Sequence, residues 1–237
     1  MSTTRPEKIR INDLHAFYGE SHILHGIDMS IGQGELVTLL GRNGAGRSTT
    51  LKAIMSMVGR RTGSIVINGT ETIDMPAHKI AHLGMGFCPE ERGIFSSLNV
   101  EENLMLPPAV RSDGVSVEEI YEMFPNLYER RYSQGTRLSG GEQQMLALAR
   151  ILRTGANILL LDEITEGLAP VIVQKLAEVL MQLKGRGLTI LLVEQNFRFA
   201  APIADRHYVM EHGHIVEEVH AHELEAKTEL LNTYLGV

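Results

Sequence analysis

The 237 residues suffice for one large domain, and 43% hydrophobic with 22% charged residues is an ordinary composition for a protein that can bury a sizeable core. A net charge of −7 without any basic stretch argues against nucleic acid as the main partner. The single cysteine, Cys88, excludes an internal disulfide and is typical of cytoplasmic proteins. No apolar run approaches the roughly 18 residues of a membrane-spanning helix, and residues 1–8 lack the apolar segment of a signal peptide. We therefore expect contact with a membrane only through a partner.

The first part of the chain predicts strands and two helices. A turn at Tyr18-Gly-Glu-Ser21 separates two short strands, and an apolar run before Gly41 indicates a buried strand. Apolar spacing after Ser48 predicts a helix, and Pro76 lies in the first turn of a second one. The strands are expected over 8–13, 22–31, 35–40, 64–69 and 84–88, the helices over 48–57 and 75–83, and a polar loop over 89–93.

Residues 41–48 form a phosphate-binding motif with one substitution. The segment Gly41-Arg-Asn-Gly-Ala-Gly-Arg-Ser48 matches G-x-x-x-x-G-K-[ST] at every fixed position except 47, where arginine replaces lysine. It lies between a predicted strand and a predicted helix, which is the context that the motif requires. The glycines let successive backbone N–H groups point into one concavity, and the helix N-terminus adds a partial positive charge. The loop is therefore predicted to bind a polyphosphate.

The composition changes from about residue 94 to residue 137. The apolar spacing there is helical and no β-branched run occurs, so we predict a helical insertion. Pro107-Pro108 stops one helix, and Ser116 with Glu119 begins another as a capping box.

Beyond residue 137 the sequence predicts a parallel α/β sheet. Continuous apolar runs at 157–161 and 188–193 indicate strands that are covered on both faces. Predicted helices at about 140–152 and 170–185 separate these strands, which is the alternation of a parallel sheet. A hairpin is expected over 206–218, followed by short helices.

Two acids, Asp162 and Glu163, follow the apolar run that begins at Ile158. Open α/β sheets bind ligands at the carboxyl ends of their strands. Asp162 could hold Mg²⁺ together with the Ser48 hydroxyl, and Glu163 could polarise an attacking water. An acidic surface turn is the alternative, and the phosphate loop upstream makes it the weaker one.

The segment Leu138-Ser-Gly-Gly-Glu-Gln-Gln144 contains a second signal. Ser139 and Glu142 have the spacing of a capping box, so a helix should begin at Gly140. Two glycines there leave the helix N-terminus bare, and bare N-terminal amides attract anions. A plain capped helix remains an alternative on local physics alone.

Taken together, these motifs resemble the ATP-binding subunits of ABC transporters over nearly the whole chain. The order is phosphate loop, Leu-Ser-Gly-Gly-Glu-Gln, a strand ending in Asp-Glu, and then Glu166-Gly-Leu168. The resemblance is greatest to the LivF type of ATPase in branched-chain amino-acid importers, as in Glu166-Gly-Leu-Ala-Pro170 and Val193-Glu-Gln-Asn196. It implies one α/β domain, 1–237, of the P-loop NTPase ABC type, with a mainly parallel sheet and an N-terminal antiparallel β subdomain. About 1–93 and 138–237 would form this core, and about 94–137 the helical insertion.

The same resemblance implies roles for single residues. Tyr18 would stack on adenine, and Glu163 would be the general base, with Gln195 and Arg47 also at the catalytic centre. Mg²⁺ would be held by Ser48 and Asp162, with Glu90 as a further candidate. The remaining nucleotide contacts would come from Gly41, Arg42, Asn43, Gly44, Ala45, Gly46 and Thr49. The signature residues, which would reach ATP bound to a second ATPase subunit, are Leu138, Ser139, Gly140, Gly141 and Glu142.

Three positions depart from the general ABC pattern. Arg47 replaces the loop lysine and keeps its charge, but its planar fork approaches phosphate oxygens differently. Glu90 stands where glutamine is usual, and Gln195 stands where most of the family has histidine. Because Asp162 and Glu163 are present, we expect ATP to be bound and hydrolysis to survive at a reduced rate.

The resemblance implies an importer ATPase on the inner face of the cell membrane, working with permease subunits and a second ATPase subunit. The expected cargo is branched-chain or related amino acids, with urea or short amides as an alternative. Two other interpretations remain: a nucleotide-binding regulatory subunit with little hydrolysis, and a soluble ABC ATPase that acts on ribosomes or DNA. The last is weak, because the chain carries one cassette and no long inserted coiled coil.

Overall fold

A computed structural model describes residues 5–236, which form two sheets and nine helices. The smaller sheet is antiparallel, with the strand order β2-β1-β4-β5. Its strands are β1 (Glu7–Tyr18), β2 (Ser21–Gly32), β4 (Arg60–Ile67) and β5 (Thr70–Glu71). The first two strands are longer than predicted, because Tyr18 pairs with Ser21 and only two residues remain for the turn. The sequence analysis found no signal-peptide segment in residues 1–8. Residues 1–4 of that stretch lie outside the described residues.

The larger sheet has the order β10-β9-β3-β8-β7-β6. Its strands are β3 (Leu36–Gly41), β6 (Met85–Cys88), β7 (Ile158–Asp162), β8 (Thr189–Glu194), β9 (Arg206–Glu211) and β10 (His214–His220). Neighbours from β9 to β6 are parallel, and only β10 runs antiparallel at the edge. Every residue of the three central strands is buried, which is why their sequences are continuous apolar runs. The predicted parallel core and antiparallel β region are both confirmed.

Helices cover both faces of the parallel sheet. They are α1 (Arg47–Ile54), α2 (Ala77–Ala81), α6 (Gly140–Arg153), α7 (Pro170–Gly185), α8 (Phe197–Ala200) and α9 (Leu224–Leu235). Three predictions need correction. The first helix ends at Ile54 rather than at Met57, because Ser56 has a left-handed φ of 58° and Arg61 donates to the last carbonyl groups. Pro76 is an extended cap before α2 instead of a helical residue. The tail has a 3₁₀ turn at Ala221–Glu223 and then one 12-residue helix, where several short helices were expected.

The segment predicted as a helical insertion contains α3 (Val100–Met105), α4 (Val117–Met123) and α5 (Pro125–Glu129). Ser116 caps α4 by accepting from the backbone nitrogen of Glu119, which confirms half of the predicted capping box; the Glu119 carboxylate pairs with Arg186 instead of closing the box. Phe124 from this segment is fully buried in the same apolar cluster as Leu159 of the central sheet. The insertion therefore shares a core with the sheet, and its limits at 94 and 137 remain a prediction. Among the described residues, no helix is both long and apolar enough to span a bilayer.

Candidate nucleotide site

The carboxyl ends of three parallel strands place the candidate site. Leu40 of β3 pairs with Glu194 of β8, and Asp162 of β7 pairs with Val193 of the same strand. The phosphate loop after β3 and the two acids after β7 therefore leave the sheet at one edge. This is the edge at which open α/β sheets bind ligands.

At two positions of the loop there is no room for a side chain, so glycine is required. Gly46 is the N-cap of α1 with a φ of 108°, and a Cβ there would lie 2.9 Å from Leu24 Cδ2. A Cβ on Gly41 would lie 2.4 Å from the carbonyl oxygen of Met210. Any side chain at either position would displace its neighbours, and at Gly46 it would also be strained. The loop holds its shape because the backbone itself passes close to β2 and β9.

The loop forms one wall of a cavity of about 420 Å³. This volume suits a small polar ligand. Acids from other segments also line the cavity. The lining residues are Ile23, Asn43, Gly44, Ala45, Gly46, Arg47, Ser48, Thr49, Glu90, Glu163 and Glu166. The structure therefore brings most of the predicted loop residues together with Glu90 and Glu163.

Ser48 and Asp162 are in contact across the base of the site. The Ser48 hydroxyl donates a hydrogen bond to Asp162 Oδ1 over 2.9 Å, and Asp162 is almost completely buried. Burial raises the pKa of Asp162, and the Ser48 hydrogen bond partly offsets this effect. A hydroxyl and a buried carboxylate beside a phosphate loop are hard oxygen donors of the kind Mg²⁺ takes with phosphate groups. These residues therefore fit a magnesium site.

Arg47 is paired with Glu163 rather than standing alone. Its Nη2 donates to Glu163 Oε1 over 2.5 Å and to Asn43 Oδ1 over 3.2 Å. The Arg47 side chain is 4% exposed and that of Glu163 is 14% exposed. Burial raises the pKa of the Glu163 carboxyl, and the neighbouring Arg47 charge acts in the opposite direction. Glu163 also adopts a left-handed φ of 46°, a conformation found at functional sites.

Glu90 belongs to a cluster of three acids. Carboxylate oxygens of Glu90, Glu163 and Glu166 lie within 4.8 Å of one another. Glu90 and Glu166 are exposed and Glu163 is partly buried, and all three line the cavity together with the phosphate loop. Glu90 could thus contribute to cation binding, as expected from the sequence, through this cluster. Glu166 was missed, although its position three residues after Glu163 was a usable signal.

The signature segment begins α6 with the predicted capping box. Ser139 Oγ accepts from Glu142 N over 3.3 Å, and Glu142 Oε2 accepts from Ser139 N over 2.7 Å. Leu138 is buried, while Ser139 is exposed and Gly140 is half-buried. None of these residues lines the 420 Å³ cavity. The helix N-terminus is therefore not part of the cavity wall of its own chain.

Tyr18 and Gln195 lie outside the walls of the cavity. Tyr18 is 42% exposed at the end of β1, and Gln195 is exposed just after β8. Their predicted roles with adenine and at the catalytic centre stay predictions. The preceding residue, Glu194, was not singled out from the sequence, yet it is a buried carboxylate that contacts Thr165. An acid at the end of an otherwise apolar strand was the available signal.

Comparison with known proteins assigns the family. The profile that describes ABC transporters matches residues 24–166, which is more than half of the chain. The chain belongs to the ABC transporter family. As an ABC cassette it is an ATPase that binds ATP.

Curated ABC relatives match the cassette over nearly its whole length. It is 38% identical over 231 residues to the high-affinity branched-chain amino acid transport ATP-binding protein BraG of Pseudomonas aeruginosa, covering 96% of this chain and 99% of that protein. It is 36% identical to the probable branched-chain amino acid transport ATP-binding protein LivF of Archaeoglobus fulgidus, with coverages of 91% and 93%. The lipopolysaccharide export system ATP-binding protein LptB of Escherichia coli is 31% identical, with coverages of 92% and 93%.

Solved structures of ABC cassettes confirm the fold. The ATP-binding subunit of an ABC transporter superposes with a TM-score of 0.80 at 25% identity, covering 97% of this chain and 99% of that one. A bacterial ABC transporter cassette solved as a dimer superposes with a TM-score of 0.78 at 25% identity, covering 90% of this chain and 98% of that one.

Proposed function

We propose that this ABC ATPase is the ATP-binding and ATP-hydrolysing subunit of an importer for branched-chain or related amino acids, driving transport through a permease. The observation that carries the chemistry is the contact of Ser48 with Asp162, which precedes Glu163; Ser48 and Glu163 both line the phosphate-loop cavity. The two branched-chain amino acid transport relatives, which match nearly the whole chain, support the cargo class.

The site geometry supports hydrolysis in the following way. The backbone amides of 41–48 and the Arg47 guanidinium bind the phosphate groups of ATP. Ser48 and Asp162 would hold Mg²⁺, which would supply positive charge beside the phosphates. The Glu163 carboxylate accepts a proton from the water that attacks the terminal phosphorus, so that a phosphate–oxygen bond forms as the bond to ADP breaks.

A second ATPase subunit would complete the site. The N-terminus of α6 does not line the cavity of its own chain, and Ser139 there is exposed. In a head-to-tail pair this end, with Gly140 and Gly141, would reach the terminal phosphate of ATP on the other subunit. The similar bacterial cassette that was solved as a dimer supports pairing of two subunits. The two copies can be identical or different.

The groove between the insertion and the sheet supports a permease contact. An apolar cavity of about 440 Å³ opens there beside the loop that carries Glu90. Its walls include Phe87, Pro89, Pro107, Pro108 and Ile151. A short helix of a membrane subunit would fit such a groove through its apolar face. This contact would hold the chain on the cytoplasmic, inner face of the cell membrane. We propose no nucleic-acid partner, because the net charge is −7.

Two observations favour other functions. LptB, the relative from the lipopolysaccharide export system, is 31% identical, so export of another cargo is the second candidate function. Import of urea or short amides is a further alternative. The Arg47–Glu163 ion pair favours a subunit with slow hydrolysis, because it engages the candidate base. The intact Ser48–Asp162 pair favours the ATPase over a purely regulatory subunit.

Deletion of the gene in the organism that carries it tests the cargo. We expect uptake of labelled leucine, isoleucine and valine to fall, to be restored by the wild-type chain, and to stay low with Glu163→Gln. In the same strains, uptake of labelled urea tests urea import, and integrity of the outer membrane tests lipopolysaccharide export. Normal amino-acid uptake with a defect in either of those would contradict the proposed cargo. Equal uptake with Glu163→Gln and wild type would instead support the regulatory subunit.

A further inference from the structure

The two terminal nitrogens of the Arg47 guanidinium differ in their hydrogen bonding. Nη2 is engaged by Glu163 and Asn43, at 2.5 Å and 3.2 Å. Nη1 is buried, and no acceptor among residues 5–236 lies within hydrogen-bonding distance of it. A buried donor without a partner is rare in folded proteins and indicates a group that awaits one. Because Arg47 lines the phosphate-loop cavity, a phosphate oxygen is the matching acceptor.

The guanidinium of Arg47 carries its donors on separate nitrogens. The planar fork presents them on fixed sides, so one nitrogen can keep a carboxylate while another binds a phosphate. The two anions then share one positive charge, and each weakens the hold of the other. A lysine has its three donors on one nitrogen, so both anions would have to crowd around a single atom, and the link between the nucleotide and Glu163 would be weaker.

We propose that Arg47 is a positioning residue for Glu163: it restrains the carboxylate in the nucleotide-free chain, and ATP loosens this restraint by taking part of the Arg47 charge. The proposal rests on the ATPase function proposed above. It follows from thermodynamic linkage that the factor by which Glu163 weakens nucleotide binding equals the factor by which nucleotide weakens the Arg47–Glu163 pair. Nucleotide affinity therefore reports the restraint.

A double-mutant cycle on nucleotide affinity tests the link. The probe is the non-hydrolysable imido analogue of ATP with Mg²⁺, and its dissociation constant is measured for wild type, Glu163→Gln, Arg47→Lys and the double variant. We expect Glu163→Gln to tighten binding about tenfold when Arg47 is present. The reason is that the phosphate then no longer competes with the Glu163 carboxylate for a charge-assisted hydrogen bond from Arg47. With lysine at 47 the same change should tighten binding at most about twofold.

Glu225→Gln is the control, because it removes an exposed carboxylate of α9 that does not line the cavity. It should change affinity at most about twofold, the effect of one screened charge. Equal effects of Glu163→Gln in the arginine and lysine backgrounds, or an equal effect of Glu225→Gln, would overturn the proposal. A chain that binds no analogue in any variant would instead refute the proposed ATPase function.

Turnover gives a second readout that a structural role of Arg47 would not produce. Arg47→Lys keeps the charge and releases Glu163, so kcat should rise about tenfold while KM changes no more than about threefold. A lower or unchanged kcat in a variant that still binds the analogue would contradict the restraint. The Glu163→Gln background, where no restraint exists, should show no gain from Arg47→Lys.

Discussion

The buried carboxylate of Glu194 accepts hydrogen bonds from both the backbone nitrogen and the hydroxyl of Thr165, at 3.1 Å and 3.0 Å. Thr165 follows the acids of β7, and Glu194 immediately precedes Gln195. The contact therefore joins the segments that follow β7 and β8 at the edge of the sheet where the candidate site lies. Burial raises the pKa of Glu194 to about 7, against an ordinary value of 4.5, although these hydrogen bonds favour the charged form.

Glu194 should make stability depend on pH. The raised pKa means that the folded chain holds a proton which the unfolded chain releases above pH 4.5. Below that pH, Glu194 does not lower the free energy of unfolding. Between pH 4.5 and about pH 7 it lowers this free energy increasingly, by up to about 3 kcal/mol. Glu194→Gln keeps an acceptor for Thr165 without the charge, so we expect it to equal wild type at pH 4.5 and to be more stable at pH 8. Urea unfolding at both values measures this.

The control for Glu194 is Glu211→Gln, which removes an exposed carboxylate at the end of β9. It matches the change in net charge without touching a buried group. A difference between Glu194→Gln and wild type that stays constant from pH 4.5 to pH 8 would show that burial does not perturb this carboxyl.

The sequence predicted those parts of the site whose partners are close in the chain or belong to one motif. Ser139 and Glu142 form the expected capping box because both lie in one helical turn. Ser48 and Asp162 were assigned together because the phosphate loop and the strand-end acid occur as a recognisable pair. The parallel sheet followed from apolar runs that are buried on both faces.

The contacts that escaped the sequence join distant segments. The Arg47–Glu163 pair spans 116 residues, and no local pattern shows that an arginine at 47 reaches this carboxylate before any phosphate. The end of α1 was misplaced for a related reason. Apolar spacing continues through Met57, which is 53% exposed, whereas the stop is provided by Arg61 from the next strand.

Arg61 is expected to stabilise the fold strongly. Its guanidinium donates to the carbonyl oxygens of Ala53, Ile54, Thr72 and Met75, so it ends α1 and anchors the segment before α2. Arg61→Met would leave these acceptors without a strong donor, and we expect a loss of about 3 kcal/mol in unfolding free energy. The neighbouring Arg60 is exposed and stacks on Phe17, so Arg60→Met should cost less than about 1 kcal/mol. Similar urea midpoints for the two variants would contradict this role.

His207 should give the opposite pH dependence to Glu194. It is fully buried in β9, and its Nδ1 shares a hydrogen bond of 2.6 Å with Thr38 Oγ1. Burial lowers the pKa of His207 to about 4 from 6.5. Below pH 6.5 the unfolded chain therefore binds a proton that the folded chain does not, and stability falls towards pH 4 by up to about 3 kcal/mol. His207→Asn, which keeps a partner for Thr38, should lose less stability between pH 7.5 and pH 4.5 than wild type.

Asp162→Asn separates the metal from the nucleotide. The amide oxygen can still accept the Ser48 hydrogen bond, so the fold should persist, but the charge that attracts Mg²⁺ is lost. We expect Mg²⁺ to strengthen binding of a fluorescent ATP analogue to wild type at least about tenfold, and to have little effect on the variant. In EDTA both proteins bind through the loop amides and Arg47, so their affinities should agree within about twofold. An equal response to Mg²⁺ in both proteins would place the metal elsewhere, and the acids Glu90 and Glu166 would then be the next to replace.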